Sequence, residues 1–407
     1  MSTWPKNRSA AEVEAQKVAD LNRRFAQSDQ LAGIEVTDEF QRFNQRDDLF
    51  TRAFWDPEVH SSHAMGFFDS YRMKAAPRSG DGFSVRDFAL RNAAWSVSDM
   101  VTNRRAAEGR REGFQAPIEP DTPVAEFREE VGDPQEMADE IKRVARFFGA
   151  DLAAICELDE RWHYTKRVDT RDLSEADNSL PEEITHVIVL GHEMDRGLVE
   201  TYPSALAGAA TGREYSHEAA IVIQLASYIR NLGYEAIPSM NDTSLVIPYA
   251  IKAGLGDYGR HQMVITPQFG PRLRFSKIFT SLPLAVDRPV RHGIAEYCSQ
   301  CTRCADQCPP KALPFGAPDT NRPNRSAIAG VKKWTADCEK CFGYWAKLKS
   351  DCAICMRVCP FNRDFTRWTN RLWRWFATGR LRWLALAWEK RYPTGARKRP
   401  RDWWKSA

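Results

Sequence analysis

The chain has 407 residues, 43% of them hydrophobic, which is enough for two or three domains around at least one sizeable core. No run of about 18 uninterrupted apolar residues occurs, so the sequence pattern offers no spanning helix. The formal charge of +4 is unevenly spread: residues 361–407 hold 13 Lys/Arg against 3 Asp/Glu, a local +10, and the other 360 residues are near −6.

A first helix is predicted over about 9–27. Its Arg23 and Arg24, in "NRRFAQ", are followed by the polar "SDQLAGIEVTDEF" instead of an apolar run. They read as a solvated helix face and not as a twin-arginine export signal, so a cytoplasmic location is expected. "AFWDPEVH" and "MGFFDSYRM" read as aromatic loops, 85–105 as a helix, and 104–123 as a polar, proline-punctuated connection. In "DPQEMADEIKRVARFFGADLAAICEL" apolar residues recur at helical spacing from Met137 to Phe148. Gly149 stops that helix and a strand follows at 152–157. "THVIVLGHEM" (185–194) reads as a buried strand. "YSHEAAIVIQLASYIRNLGYEAIP" reads as a long helix stopped at Gly233, with Tyr215 just ahead of it and a strand reaching Ile237. "IPYAIKAGLG" (247–256) reads as a helix with a glycine terminus; "HQMVITP" and "LRFSKIFTSLPLAV" read as strands. The alternation argues an α/β or α+β domain.

Nine of the ten cysteines lie between 298 and 359. "CSQCTRCADQCP" is the C-x2-C-x2-C-x3-C-P run of bacterial iron–sulfur proteins, and "CAICMRVCP" (352–360) nearly repeats it. Three thiolates at two-residue separations wrap one cluster; the fourth, before a proline, points to the other. This assigns Cys298, Cys301, Cys304 and Cys359 to cluster one. Cluster two takes Cys308, Cys352 and Cys355, with its last ligand open between Cys338 and Cys341 and Cys341 preferred. Zinc would favour pairs of cysteines over a triplet, and disulfides do not suit a reducing compartment. Cys156 reads as a small buried hydrophobe.

"GREYSHEAAIVIQLASYIRNLGYEAIPSMND", "IPYAIKAGLGDYGRHQMVITPQFGPRLRF" and "TSLPLAVDRPV", followed by the two cysteine runs, resemble a reductive dehalogenase over about residues 40–362. Epoxyqueuosine reductase, a tRNA-modifying cobalamin enzyme, is similar in the "AGLG" segment and the cysteines. The resemblance implies an α+β chain: a nitroreductase-like α/β domain holding a base-off corrinoid (cobalamin), followed by a ferredoxin-like domain with two [4Fe–4S] clusters. The corresponding division is 1–124 for a region packing on the core, 125–290 for the corrinoid domain, 291–362 for the clusters and 363–407 for a basic, Trp-rich tail. No D-x-H-x-x-G motif for a histidine cobalt ligand is present.

By the same resemblance, Tyr215 matches a catalytic tyrosine that gives a proton to the dehalogenated carbon. A fixed cation nearby would favour its phenolate; Arg274 is the first candidate and Lys277 the second. Strand alternation puts Arg272 and Arg274 on one face and Lys277 on the other. Asn241 would orient the substrate or the tyrosine, although the register of Met240-Asn241-Asp242 leaves open an aspartate as acid, as in the epoxide reductases. Gly254, Gly256 and Gly259 would admit the corrinoid, or simply end a helix and form a turn. The expected substrate is a small organohalide, a halogenated aromatic such as a halophenol. The expected reductant is an external low-potential donor of ferredoxin or flavodoxin type, or a reductase. A ferredoxin-like carrier subunit is the non-enzymatic alternative, and it leaves the long α/β region without a purpose. The tail interleaves arginine with five tryptophans over 365–393 and carries two more at Trp403 and Trp404, which suits a helix packed on the protein itself or an anionic membrane surface; nucleic acid is the least favoured partner.

Overall fold

The computed structural model describes residues 9–71, 80–103, 118, 121–170 and 172–405. Most of the 104–123 connection, and the end of "MGFFDSYRM", lie outside them. One-turn helices and two-residue ladders aside, the helices are α1 (Ala10–Ala32), α2 (Leu49–Trp55), α3 (Ser62–Ser70), α4 (Val85–Asn103), α5 (Pro134–Phe147), α6 (Ala205–Asn231), α7 (Val246–Lys252), α8 (Cys338–Leu348), α9 (Trp368–Thr378) and α10 (Arg382–Arg391). The strands are β1 (Glu35–Gln41), β2 (Leu152–Glu157), β3 (His186–Glu193), β4 (Ala236–Ser239), β5 (Leu273–Thr280) and β6 (Ala329–Lys332).

The centre is a four-stranded sheet in the order β2-β3-β5-β4, antiparallel throughout, so the fold is α+β. "HVIVLGHE" is apolar without interruption because both faces of its strand are covered. Ile188 and Leu190 pack under α6 and α5, while Val187 and Val189 pack on the opposite side with Tyr249, Ala250 and Ile251 of α7. β5 divides the same way: Ile278 faces α6, whereas Leu273, Phe275 and Phe279 face α7.

Two expectations change. Of the segments expected to be aromatic loops, "AFWDPEVH" is helical only to Trp55, as the end of α2, whereas "MGFFDSYRM" is helical to Ser70, in α3; Asp48 and Ser61 cap the two helices by accepting from the Phe50 and Ala64 N–H groups. The long helix begins at Ala205, ten residues before Tyr215, with Ser204 accepting from Ala207 N–H. Its first turns, "ALAGAATGRE", carry small residues that look like a loop in sequence but let another helix approach. A Cβ on Gly212 would lie 2.4 Å from Trp95 of α4, and one on Gly208 would lie 2.5 Å from Asp351.

Three long-range ties join the rest of the chain to the cysteine-bearing segment. β1 pairs with β6 around Gly330 (φ +67°), where a Cβ would meet the Phe40 backbone at 2.1 Å. Buried Arg52 donates to Asp56 (2.8 Å) and Ser326 (2.8 Å) and pairs with Glu339 (2.7 Å). Arg272, just ahead of β5, joins Glu193 (2.6 Å) to Asn362 (2.8 Å). Arg23 and Arg24 stand exposed on α1. Cys156 is buried, its thiol 3.7 Å from the Tyr249 carbonyl. Among the described residues, no helix is long and apolar enough to cross a membrane.

Candidate active site

Tyr215 lies in the middle of α6, not ahead of it, and is 3% exposed. The space kept by Gly212 lets Trp95 slide under it, and the two rings stack with centroids 4.6 Å apart at 25°. Its hydroxyl oxygen accepts from Asn241 Nδ2 at 2.7 Å and from Arg274 Nη2, whose guanidinium carbon sits 4.3 Å from the ring centroid. Two donors, one of them cationic, converge on one phenol oxygen; such an arrangement stabilises the phenolate left by proton donation. Burial pushes Arg274 down to about 10, so it is still a cation at neutral pH.

Lys277 points to the other face of β5 and does not reach Tyr215. Its amine donates to the carbonyls of Met240 (2.5 Å) and Asp242 (3.1 Å) and so fixes the turn that presents Asn241. Burial pushes Lys277 down to about 8, against the pull of Asp242 and Glu218. Asp242 is turned back on its own loop, accepting from Met240 N–H at 2.8 Å and from Thr243 Oγ1 at 2.7 Å. The register thus sets asparagine, not aspartate, against the tyrosine.

Tyr215, Asn241 and Arg274 line a cavity of about 390 Å³. Phe50, Phe67, Phe68, Tyr71, Trp95 and Trp345 form an aromatic side. Cys308, Cys341, Cys352 and Cys355 line the same cavity. The thiol of Cys341 is raised to about 12 by burial first and then by its neighbours Cys352 and Cys308. Cys338, one turn away on α8, instead donates to Asn324 Oδ1 at 3.0 Å and lines a different cavity. Cys298, Cys301 and Cys359 gather with Tyr297, Phe361 and Trp373. Among the described residues no three His, Cys, Asp or Glu side chains close on a single-ion position.

The second cavity, of about 780 Å³, meets the first at Asn241, Gln262 and Ala336. Trp162, Tyr164, Val246, Ile247, Pro248 and Tyr258 line it, and its charged lining is mixed: Arg291 pairs with Glu296 and Lys332 with Glu35, beside Lys333, Asp48 and Asp257. The apolar walls of this space fit a corrinoid macrocycle, with the tyrosine and the cluster-two cysteines in the adjoining cavity. His261 supports a bound group at the junction. It is buried and lines the smaller cavity, its Nδ1 accepts from Met263 N–H at 3.3 Å, and its Nε2 has no partner. Burial pushes it down to about 4, so at neutral pH it offers an unused N–H.

Gly254, Gly256 and Gly259 are not among the residues that line the two cavities. A Cβ on each would strike the chain itself, at Arg288 O (2.6 Å), Ile265 O (2.4 Å) and Ile265 Cδ1 (2.6 Å). Their segment reaches the larger cavity through Asp257 and Tyr258 instead.

Sequence reasoning missed Arg260, which follows those glycines. It is 1% exposed and donates to the carbonyls of Cys298 (2.9 Å), Ser299 (3.3 Å), Cys301 (2.8 Å), Pro314 (3.1 Å) and Gly316 (2.7 Å). It holds the loop of the first cysteines in shape. Its place between a glycine turn and a cysteine run is the one signal, and that signal does not name five carbonyls. His192 is buried on β3 with Nε2 3.0 Å from Ser276 Oγ, and His217 is half-exposed on α6 beside Glu214.

Residues 297–362 match the family described as a 4Fe-4S double cluster binding domain. The tetrachloroethene reductive dehalogenase of Sulfurospirillum multivorans is 34% identical over 256 residues, covering 57% of this chain and 51% of that one. The epoxyqueuosine reductase of Lactococcus garvieae is 31% identical over 130 residues, covering 31% of this chain and 34% of that one. The structure is similar to that of the catabolic reductive dehalogenase NpRdhA, with a TM-score of 0.69 and 24% identity, over 89% of this chain and 48% of that one. This last likeness speaks to the fold. The chain spans about half the length of the dehalogenases it matches.

Proposed function

We propose that this chain, which is similar to reductive dehalogenases, replaces the halogen of a small organohalide by hydrogen, with Tyr215 as proton donor. The reaction consumes the organohalide, two electrons and one proton, and releases the hydrogenated product and a halide ion. A base-off corrinoid, when bound, supplies the low-potential electron pair, and two [4Fe–4S] clusters refill it one electron at a time. The chain's own residues do the rest. The walls of the larger cavity hold the corrinoid, and Cys308, Cys341, Cys352 and Cys355 hold the cluster beside it. Cys298, Cys301, Cys304 and Cys359 hold the outer cluster, which takes electrons from an external low-potential donor of ferredoxin or flavodoxin type, or a reductase.

Tyr215 gives its hydroxyl proton to the carbon that loses the halide, and Arg274 and Asn241 stabilise the phenolate that remains. Phe50, Phe67, Phe68, Trp95 and Trp345 stack a halogenated aromatic ring such as a halophenol and keep water out. The observation that carries this reading is the convergence of Asn241 and Arg274 on the Tyr215 oxygen, in a cavity that four cysteines also line. The turn of Asp242 away from the site speaks against the tRNA epoxide reductase reading. The test is anaerobic reconstitution with iron, sulfide and cobalamin, followed by halide release from a brominated phenol under a strong one-electron reductant. Release that requires cobalamin is expected. Stoichiometric cobalamin binding without release from any halogenated aromatic would overturn the substrate class, and iron uptake without cobalamin binding would leave only a carrier.

A further inference from the structure

The tail folds as the helical hairpin α9–α10, and its aromatic side chains fall into two sets. Trp373, Ala377 and Ala385 are buried with Tyr297, Phe361 and the cluster-one cysteines Cys298 and Cys359. Trp368, Leu372 and Trp375 recur at i, i+4 and i+7 along α9 and are exposed by 68%, 46% and 63%. Leu381, Leu384 and Trp388 recur at i, i+3 and i+7 along α10, and they too are exposed, with Trp383 and Tyr392. Eight of the eighteen exposed large apolar side chains among the described residues lie between 368 and 392, and they include every exposed tryptophan. Such a band costs free energy in water and marks a contact surface.

The charge beside the band selects the partner. Arg371, Arg380, Lys390 and Arg391 are exposed among the indoles, in a segment of net +10. Indole rings settle at the headgroup depth of a bilayer, and arginine and lysine pair with anionic lipid. Protein interfaces gather their energy around a few central anchors in pockets. Here four indoles are spread along two helices, which suits a fluid surface better. We propose that the α9–α10 face docks this chain on an anionic bilayer surface, indoles in the headgroup layer and basic side chains on lipid phosphates. Since Cys298 and Cys359 pack against the buried side of the same hairpin, docking sets cluster one on the membrane side of the molecule. This inference does not depend on which substrate the active site takes.

The test uses the chain with its clusters reconstituted and vesicles of phosphatidylcholine with or without about 30% phosphatidylglycerol. Flotation and tryptophan emission are recorded for the wild type and for the Trp375→Ser/Trp388→Ser double variant, which changes two exposed residues. Wild type is expected to float with the anionic vesicles, with blue-shifted emission and weaker binding in about 0.5 M salt. The double variant is expected to bind roughly tenfold more weakly, with unchanged iron content. No flotation with anionic vesicles, or equal flotation of the variant, overturns the proposal. So does a wild-type dimer that the variant converts to monomer, because a second copy then covers the face. Variant-sensitive binding of an acidic ferredoxin without vesicle binding overturns it as well.

Discussion

The cysteine segment and the tyrosine site both contribute to the lining of one cavity and were built by different routes. In the cysteine segment, ligands lie two or three residues apart, and a proline follows each crossing cysteine. Backbone geometry then dictates the chemistry almost alone. In the tyrosine site, Tyr215, Asn241 and Arg274 come from a helix, a turn and a strand, and meet only because the sheet and α6 pack as they do. Local spacing specifies a metal site; tertiary packing specifies a proton donor. Mutations in the first should therefore remove a cofactor, and mutations in the second should leave the cofactors in place and slow the chemistry.

The largest effect is expected at the ligand left open by spacing. Cys341→Ser should reduce iron from about eight to about four per chain and abolish turnover, whereas Cys338→Ser should keep both clusters. Iron and sulfide analysis with paramagnetic resonance of the reduced protein checks this, and the reverse pattern would move the ligand to Cys338. Next comes Arg260→Met, which strips a buried donor from five carbonyls around the first cysteines. We expect a stability loss of about 3–5 kcal/mol by denaturant titration and preferential loss of cluster one. Arg274→Met and Lys277→Met then separate stabilisation from positioning. The first should lower turnover by about 10²-fold with stability little changed. The second should cost about 2 kcal/mol of stability and about tenfold in turnover, because two buried carbonyls lose their donor and the Asn241 turn relaxes.

The smallest effect is a pH dependence. Burial raises Glu214 to about 7, opposed by the Arg213 cation and helped by Asp151. Its folded value lies above its unfolded value near 4.5, so the folded state holds the extra proton between them. Stability contributed by that proton is complete below pH 4.5 and is lost as pH rises through 7. Glu214→Gln should therefore match wild type at pH 4.5 and exceed it at pH 8, by on the order of 1 kcal/mol. Thermal unfolding at the two pH values checks this.

The same contrast explains what could be read from sequence. The strands at 152–157 and 185–194, the helix stop at Gly233 and the cysteine grouping rest on period, glycine and spacing, all local signals. The start of α6 was misplaced because "ALAGAATGRE" has the composition of a loop, while its glycines are there to admit Trp95 and Asp351. The glycines of "AGLGDYG" are open in sequence between a cofactor approach and a helix end with its turn; their near neighbours are the chain's own Arg288 O, Ile265 O and Ile265 Cδ1. Arg274 and Lys277, alike in sequence context, divide by strand face: one meets the tyrosine and the other holds the turn. Arg260 was silent because nothing local distinguishes an arginine facing solvent from one saturated by carbonyls far along the chain.

The most direct test compares wild type with Tyr215→Phe, each loaded with corrinoid and clusters, in a single turnover on a brominated phenol. Equal corrinoid and iron contents are expected, with product formation slower by at least about 10²-fold in the variant. Product formed by the variant at the wild-type rate would show that the proton comes from elsewhere and contradict the role assigned to Tyr215.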